Sequence, residues 1–100
     1  MSAGANFYKC KKDTTHKSIA KVFTDRGYTI MDCSPLKGAC DFVATNGEKV
    51  YFVECKSKGG KLSDAEAKFY QYFKAPIYIL YSAQDAENLL DLNFYNCNIF

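Results

Sequence analysis

Two carboxylates and a lysine stand in a stretch that otherwise has the composition of buried strand. Asp41 closes Gly38-Ala39-Cys40-Asp41, and after twelve further residues come Glu54 and Lys56 in Glu54-Cys55-Lys56. Burying charge is costly unless the charges are paired or coordinate an ion, so this placement points to chemistry on a phosphate. Convergent carboxylates suit Mg²⁺, which takes oxygen ligands and keeps several of its waters. The backbone carbonyl of Cys55, between Glu54 and Lys56, offers a further oxygen. Such an ion polarises a phosphodiester and acidifies a water. Lys56 would orient that water or stabilise the charge that builds in the transition state. The plainer alternative is a cross-strand acid–lysine surface pair, contributing about 0.2–1 kcal/mol. A Glu-x-Lys tripeptide by itself is common by chance.

The elements that must position these groups follow from local pattern. Asp13-Thr14-Thr15 supplies a helix cap, Ile19, Val22 and Phe23 recur at helical spacing up to Arg26, and Gly27 ends the helix. Tyr28 to Cys33 alternates as a strand and Ser34-Pro35 breaks it. Residues 39–45 and 49–56 are β-rich runs around Asn46-Gly47, a strong hairpin signal. After a Gly59-Gly60 loop, Ser63 and Glu66 form a capping box that opens a second helix with Phe69, Tyr70 and Phe73 on its apolar face, stopped by Pro76. Ile77 to Tyr81 reads as a buried strand, and Ser82 caps a third helix running to Leu90. Asn93 to Phe100 is an apolar tail, either a last strand or an interface segment, and residues 1–12 read as a mobile arm or short edge element. The order is helix, three strands, helix, strand, helix: a mixed α/β fold with helices flanking the sheet.

A two-residue turn at Asn46-Gly47 pairs Thr45 with Glu48, Val43 with Val50 and Asp41 with Phe52. Opposed residues share a face, as do alternate residues within a strand. Asp41, Phe52, Glu54 and Lys56 are therefore expected on one face, with the Asp41 and Glu54 Cα atoms roughly 7–8 Å apart. A four-residue loop keeps this parity, whereas a three-residue loop would destroy it.

At 100 residues the chain makes one domain, spanning 1–100. With 48% hydrophobic and 24% charged residues it has a globular rather than a disordered balance. No apolar run is long enough to span a membrane, and Met1 to Asn6 lacks the basic-then-apolar pattern of a signal peptide, so a cytoplasmic protein is expected. The cysteines are Cys10, Cys33, Cys40, Cys55 and Cys97, with no C-x-x-C pair, and His16 is the single histidine. Reduced, mostly buried thiols are therefore expected, and zinc is not. The net charge of +2 does not announce a nucleic-acid binder, but lysines cluster at 9, 11, 12, 17 and 21 and again at 56, 58 and 61. The second cluster adjoins the acids and suits phosphate contact.

Taken together, these motifs resemble the PD-(D/E)XK nuclease superfamily, and within it the small stand-alone VRR-Nuc proteins often encoded by phages. The resemblance runs from about Thr15 to Leu90. It rests on Gly27-Tyr28, Gly38-Ala39-Cys40-Asp41, Glu54-Cys55-Lys56, Gly59-Gly60 and Leu62-Ser63-Asp64-Ala65-Glu66, in the family's order. It implies a restriction-endonuclease-like core and a Mg²⁺- or Mn²⁺-dependent DNA endonuclease. Asp41 and Glu54 would be metal ligands and Lys56 the catalytic lysine, with Lys17, Lys58 and Lys61 on the DNA. Relatives resemble Holliday-junction resolvases, which implies branched DNA as substrate and a homodimer. The chain departs from the pattern in three places. Cys40 replaces a proline, Glu66 stands where glutamine is common, and the first helix has no acid before Asp25. His16 lies close to that missing acid, either as an alternative ligand or as an ordinary exposed histidine. A protein of this fold that binds nucleic acid or inhibits a partner without cleavage is the competing expectation.

Overall fold

The computed structural model describes residues 14–36, 38–57, 59–92 and 98–99. The expected N-terminal arm, Lys58 and most of the apolar tail lie outside them.

Helix α1 spans Thr14–Asp25 and buries Ile19, Val22 and Phe23 along one stripe. His16 lies one turn earlier on the same stripe and is buried with them, at 7% exposure, so it is not the exposed helix-start histidine of the simpler expectation. The helix ends in a Schellman motif. The Gly27 N–H donates to the Thr24 carbonyl (3.1 Å) and the Tyr28 N–H to the Phe23 carbonyl (3.0 Å), with Gly27 left-handed at φ +88°.

The strands are β1 (Thr29–Asp32), β2 (Phe42–Thr45), β3 (Val50–Cys55), β4 (Ile77–Leu80) and β5 (Asn98–Ile99). They form one sheet in the order β1-β2-β3-β4-β5, parallel between β3 and β4 and antiparallel elsewhere. Helix α2 (Asp64–Tyr72) makes the crossover between the parallel strands. It opens with the capping box read from sequence, Ser63 Oγ accepting the Glu66 N–H (3.1 Å) and Glu66 Oε1 the Ser63 N–H (2.8 Å). Helix α3 (Ala83–Leu92) starts where Ser82 Oγ accepts the Asp85 N–H at 3.1 Å. The tail adds β5 beside β4, the strand outcome of the two expected for it.

Alternation along the strands splits the apolar residues between two faces. Phe42, Ala44, Tyr51, Val53 and Leu80 pack with Ile19, Val22 and Phe23 of α1 and Ala86 and Leu89 of α3. Cys40 and Ile77, with Val43 and Phe52, pack under Tyr70, Phe69 and Phe73 of α2. The result is three layers, with α1 and α3 on one side of the sheet and α2 on the other.

The β2–β3 register is two residues away from the expected one, with Thr45 opposite Val50 and Val43 opposite Phe52. The turn is longer because Asn46 uses its side chain. Its Oδ1 accepts the N–H groups of Glu48 (2.9 Å) and Lys49 (2.8 Å), holding residues 46–49 as a four-residue loop. A shift of two keeps side-chain parity, so Phe52 and Glu54 remain on a common face.

Parity fails at Asp41. Its N–H donates to the Val53 carbonyl (2.9 Å), and Val53 is also the partner of Phe42. Two residues of one strand thus oppose one of the other, which is a β-bulge. The bulge explains why Cys40 and Phe42, two apart, lie on opposite faces of the sheet. It also ends the strand at Phe42 rather than at the expected residue 39.

Candidate functional site

The acids and the lysine meet where the parallel strands β3 and β4 end. The Lys56 N–H donates to the Leu80 carbonyl at 3.0 Å, carrying the pairing one residue past β3. Alternation at this strand end sends Glu54 and Lys56 to the α2 side and Cys55 to the α1 side, where it packs against the larger core. Asp41, turned by the bulge, sits between the two. Its Oδ2 accepts the Cys55 N–H at 2.8 Å.

On the α2 side Glu54 is buried, at 3% exposure. The Tyr70 hydroxyl donates to its Oε1 at 2.9 Å, and Lys56 Nζ lies 3.5 Å from its Oε2. Lys56 Nζ is closer to Glu66 Oε1, at 3.0 Å. That same Glu66 oxygen accepts the Ser63 N–H, so the capping box of α2 also holds the lysine.

The electrostatics follow from burial and crowding. Desolvation, then the charge of Asp41, then a hydrogen bond shared with Glu66 push Glu54 up to about 8, while the Tyr70 hydroxyl works the other way. Burial pushes the Asp41 carboxyl above the ordinary carboxylate range, against the Cys55 N–H and the nearby His16, and Glu66 adds to the rise. Glu66 goes down: the Ser63 N–H and Lys56 outweigh its burial. Lys56 goes up, because its bond to Glu66 and the charges of Glu54 and Glu66 outweigh its own desolvation. Glu54 is thus biased towards its protonated form beside a Glu66 biased towards ionisation, and three carboxyl groups crowd one lysine.

On the α1 side a second grouping appears. A ring nitrogen of His16, a carboxylate oxygen of Asp41 and the Sγ of Cys55 lie within 4.8 Å of one another. His16 also stacks at a tilt on Phe42, with ring centroids 5.6 Å apart. Asp41, Glu54, Lys56, His16, Glu66 and Cys55 are thus gathered at one end of the sheet. Lys17 and Lys61 are exposed, on α1 and in the loop before α2, while Lys58 lies outside the described residues.

Sequence reasoning assigned Tyr70 only to the apolar face of α2. The available signal was a tyrosine in a stripe whose neighbours are Phe69 and Phe73, since a buried tyrosine hydroxyl needs a partner. The Cys55 side chain was also missed, because only its carbonyl was considered. Cys33, Cys40 and Cys55 are reduced and form no disulfide. Burial raises Cys33 and pushes Cys40 up to about 12, which keeps both protonated and unreactive.

Among the described residues no helix is long and apolar enough to cross a membrane. No protein-family model, curated protein or solved structure matches this chain.

Proposed function

We propose that this chain is a Mg²⁺- or Mn²⁺-dependent DNA endonuclease of PD-(D/E)XK type with a restriction-endonuclease-like core. It would cut branched DNA such as a four-way junction, as a cytoplasmic homodimer. The observation that carries the reading is the convergence of Asp41, Glu54, Glu66 and Lys56 at the carboxyl ends of β3 and β4, the end of an open α/β sheet where ligands bind. The resemblance of motif order to small VRR-Nuc proteins supports it, and cutting two strands symmetrically would require a two-fold dimer.

The residues fit a hard divalent cation. Asp41 and Glu54 are shifted up and Glu66 down around one lysine, and a cation held by Asp41, Glu54 and the Cys55 carbonyl would relieve that crowding. When bound, such a cation supplies Lewis acidity, polarising the phosphodiester and acidifying the attacking water. To serve as a ligand Glu54 would release its proton to solvent, and the Tyr70 hydroxyl, which donates to its Oε1, would hold the carboxylate in place. Glu66 aims Lys56, whose ammonium meets the negative charge that develops on the phosphate. Lys17, Lys58 and Lys61 carry the backbone contacts.

One observation favours a second reading, a nucleic-acid-binding or partner-inhibiting protein without cleavage. The first turn of α1 has no acid, and His16 stands there instead. A four-way junction, a flap, a single strand and a linear duplex, each with Mg²⁺ or Mn²⁺, separate the two. The nuclease reading expects metal-dependent cleavage by the wild type, strongest on the junction, and none by Glu54→Ala. Binding of the junction with no cleavage of any substrate in either metal would leave only the second reading.

A further inference from the structure

We propose that His16, Asp41 and Cys55 form a site for a borderline-soft divalent cation of the Zn²⁺ or Co²⁺ class, with Cys55 binding through its sulfur. This goes beyond the nuclease reading, in which Cys55 offers only its carbonyl to a hard cation, and it stands whether or not the chain cleaves DNA. Three elements supply the ligands: the first turn of α1, the bulge before β2 and the last residue of β3. Their ligand atoms already lie within 4.8 Å of one another. Tetrahedral zinc with bonds of roughly 2.0–2.3 Å needs ligand atoms about 3.3–3.8 Å apart, so side-chain adjustments of about 1 Å close the site.

The chemistry of the set selects the ion. Imidazole and thiolate favour zinc and its neighbours, whereas Mg²⁺ is served by oxygen. Three protein ligands leave one position open, the pattern of a zinc ion that takes a water or an exogenous ligand. Spacing along the sequence does not reveal the set, because its members are 25 and 14 residues apart and meet only through the bulge and the α1 packing. On binding, the Cys55 thiol gives its proton to solvent and the sulfur becomes the metal ligand. Asp41 belongs to both sets, so the soft ion and Mg²⁺ compete for it.

The test is Co²⁺ titration of the reduced full-length chain, followed by absorption spectroscopy. One equivalent should bring a near-ultraviolet sulfur-to-cobalt charge-transfer band and the intense visible bands of four-coordinate cobalt. Cys55→Ser should abolish the charge-transfer band. The double variant Cys10→Ser with Cys97→Ser should keep it, excluding capture by those two thiols. His16→Gln, checked for native circular dichroism, should weaken Co²⁺ by at least the roughly 10–100-fold that loss of even an outer partner costs. A missing charge-transfer band in the wild type, or one that survives Cys55→Ser or an unweakened His16→Gln, would overturn the proposal. No DNA enters this measurement, so its failure leaves the cleavage reading untouched, and inactivity on DNA leaves this site untouched.

Discussion

The Oδ2 atom of Asp41 accepts the backbone N–H of Cys55 at 2.8 Å, tying the first acid of the site to the strand that carries the second. The bond bridges the bulge, where regular pairing would not supply the Cys55 N–H with a partner from Asp41. Asp41 therefore has a structural duty beside any chemical one.

That duty separates two substitutions. Asp41→Ala strands the Cys55 N–H and should cost about 1–3 kcal/mol of stability. Asp41→Asn keeps an acceptor and should cost less, while still removing the negative charge needed for a cation. Urea unfolding of both variants, with and without Mn²⁺, checks this. Equal stability of the two would show that the bond contributes little.

Lys56→Ala should fold and still bind Mn²⁺, because neither Asp41 nor the Cys55 carbonyl depends on the ammonium. If Lys56 stabilises the transition state, cleavage should fall by roughly 10²–10³, as when one charge-stabilising donor is lost. Single-turnover cleavage of a four-way junction measures it, and normal cleavage by this variant excludes the proposed role.

The stability of the protein without added metal should fall as pH rises from weakly acidic to mildly alkaline. Burial, the charge of Asp41 and the bond to Glu66 raise Glu54 from 4.5 to about 8. The folded protein thus holds a proton that the unfolded chain releases. The stabilisation is complete below 4.5, is lost as pH climbs through the window to about 8, and is gone above it. Glu66, shifted down, contributes in the opposite sense, and its share is lost only at pH below that window. Glu54→Gln should flatten the slope between pH 5 and 8, about the span over which Glu54 titrates. A variant with the wild-type slope would point to another group.

Gly38→Ala should destabilise the loop that leads to the bulge. Gly38 is left-handed at φ +81°, and an added Cβ would lie 3.3 Å from the Ala65 Cβ on α2. The conformation alone costs an L-residue roughly 1–2 kcal/mol. Because the same loop delivers Asp41, the Mn²⁺-induced rise in Tm should shrink as well. A variant that matches the wild type in both would show that the loop adapts freely.

Much of the fold was legible because its signals are local. Ile19, Val22 and Phe23 mark α1, Gly27 marks its end, and Ser63 with Glu66 marks the start of α2. These depend on residues within one or two turns of each other. The bulge at Asp41 is different in kind, since it arises from how two strands pair and no neighbouring residue announces it. Asn46 misled on turn length because its side chain competes with the backbone for the same N–H groups. Glu54 and Lys56 kept their common face because a shift of two preserves parity, whereas Asp41 reaches them by way of the bulge and its bond to the Cys55 N–H. The meeting of His16 with Cys55 was illegible for the reason the bulge was.

Glu66 Oε1 serves the Ser63 N–H and Lys56 Nζ at once, which has a consequence in time as well as in space. An exposed lysine changes rotamer in picoseconds to nanoseconds. Lys56 is moored to an atom that stays put only while the first turn of α2 stays wound, and the opening of a helix end is a slower, local-unfolding event. Unwinding of that turn would therefore release the ammonium group as well as the helix cap, so one local opening frees both. Hydrogen exchange at the Ser63 and Glu66 amides would measure how often that shared opening occurs.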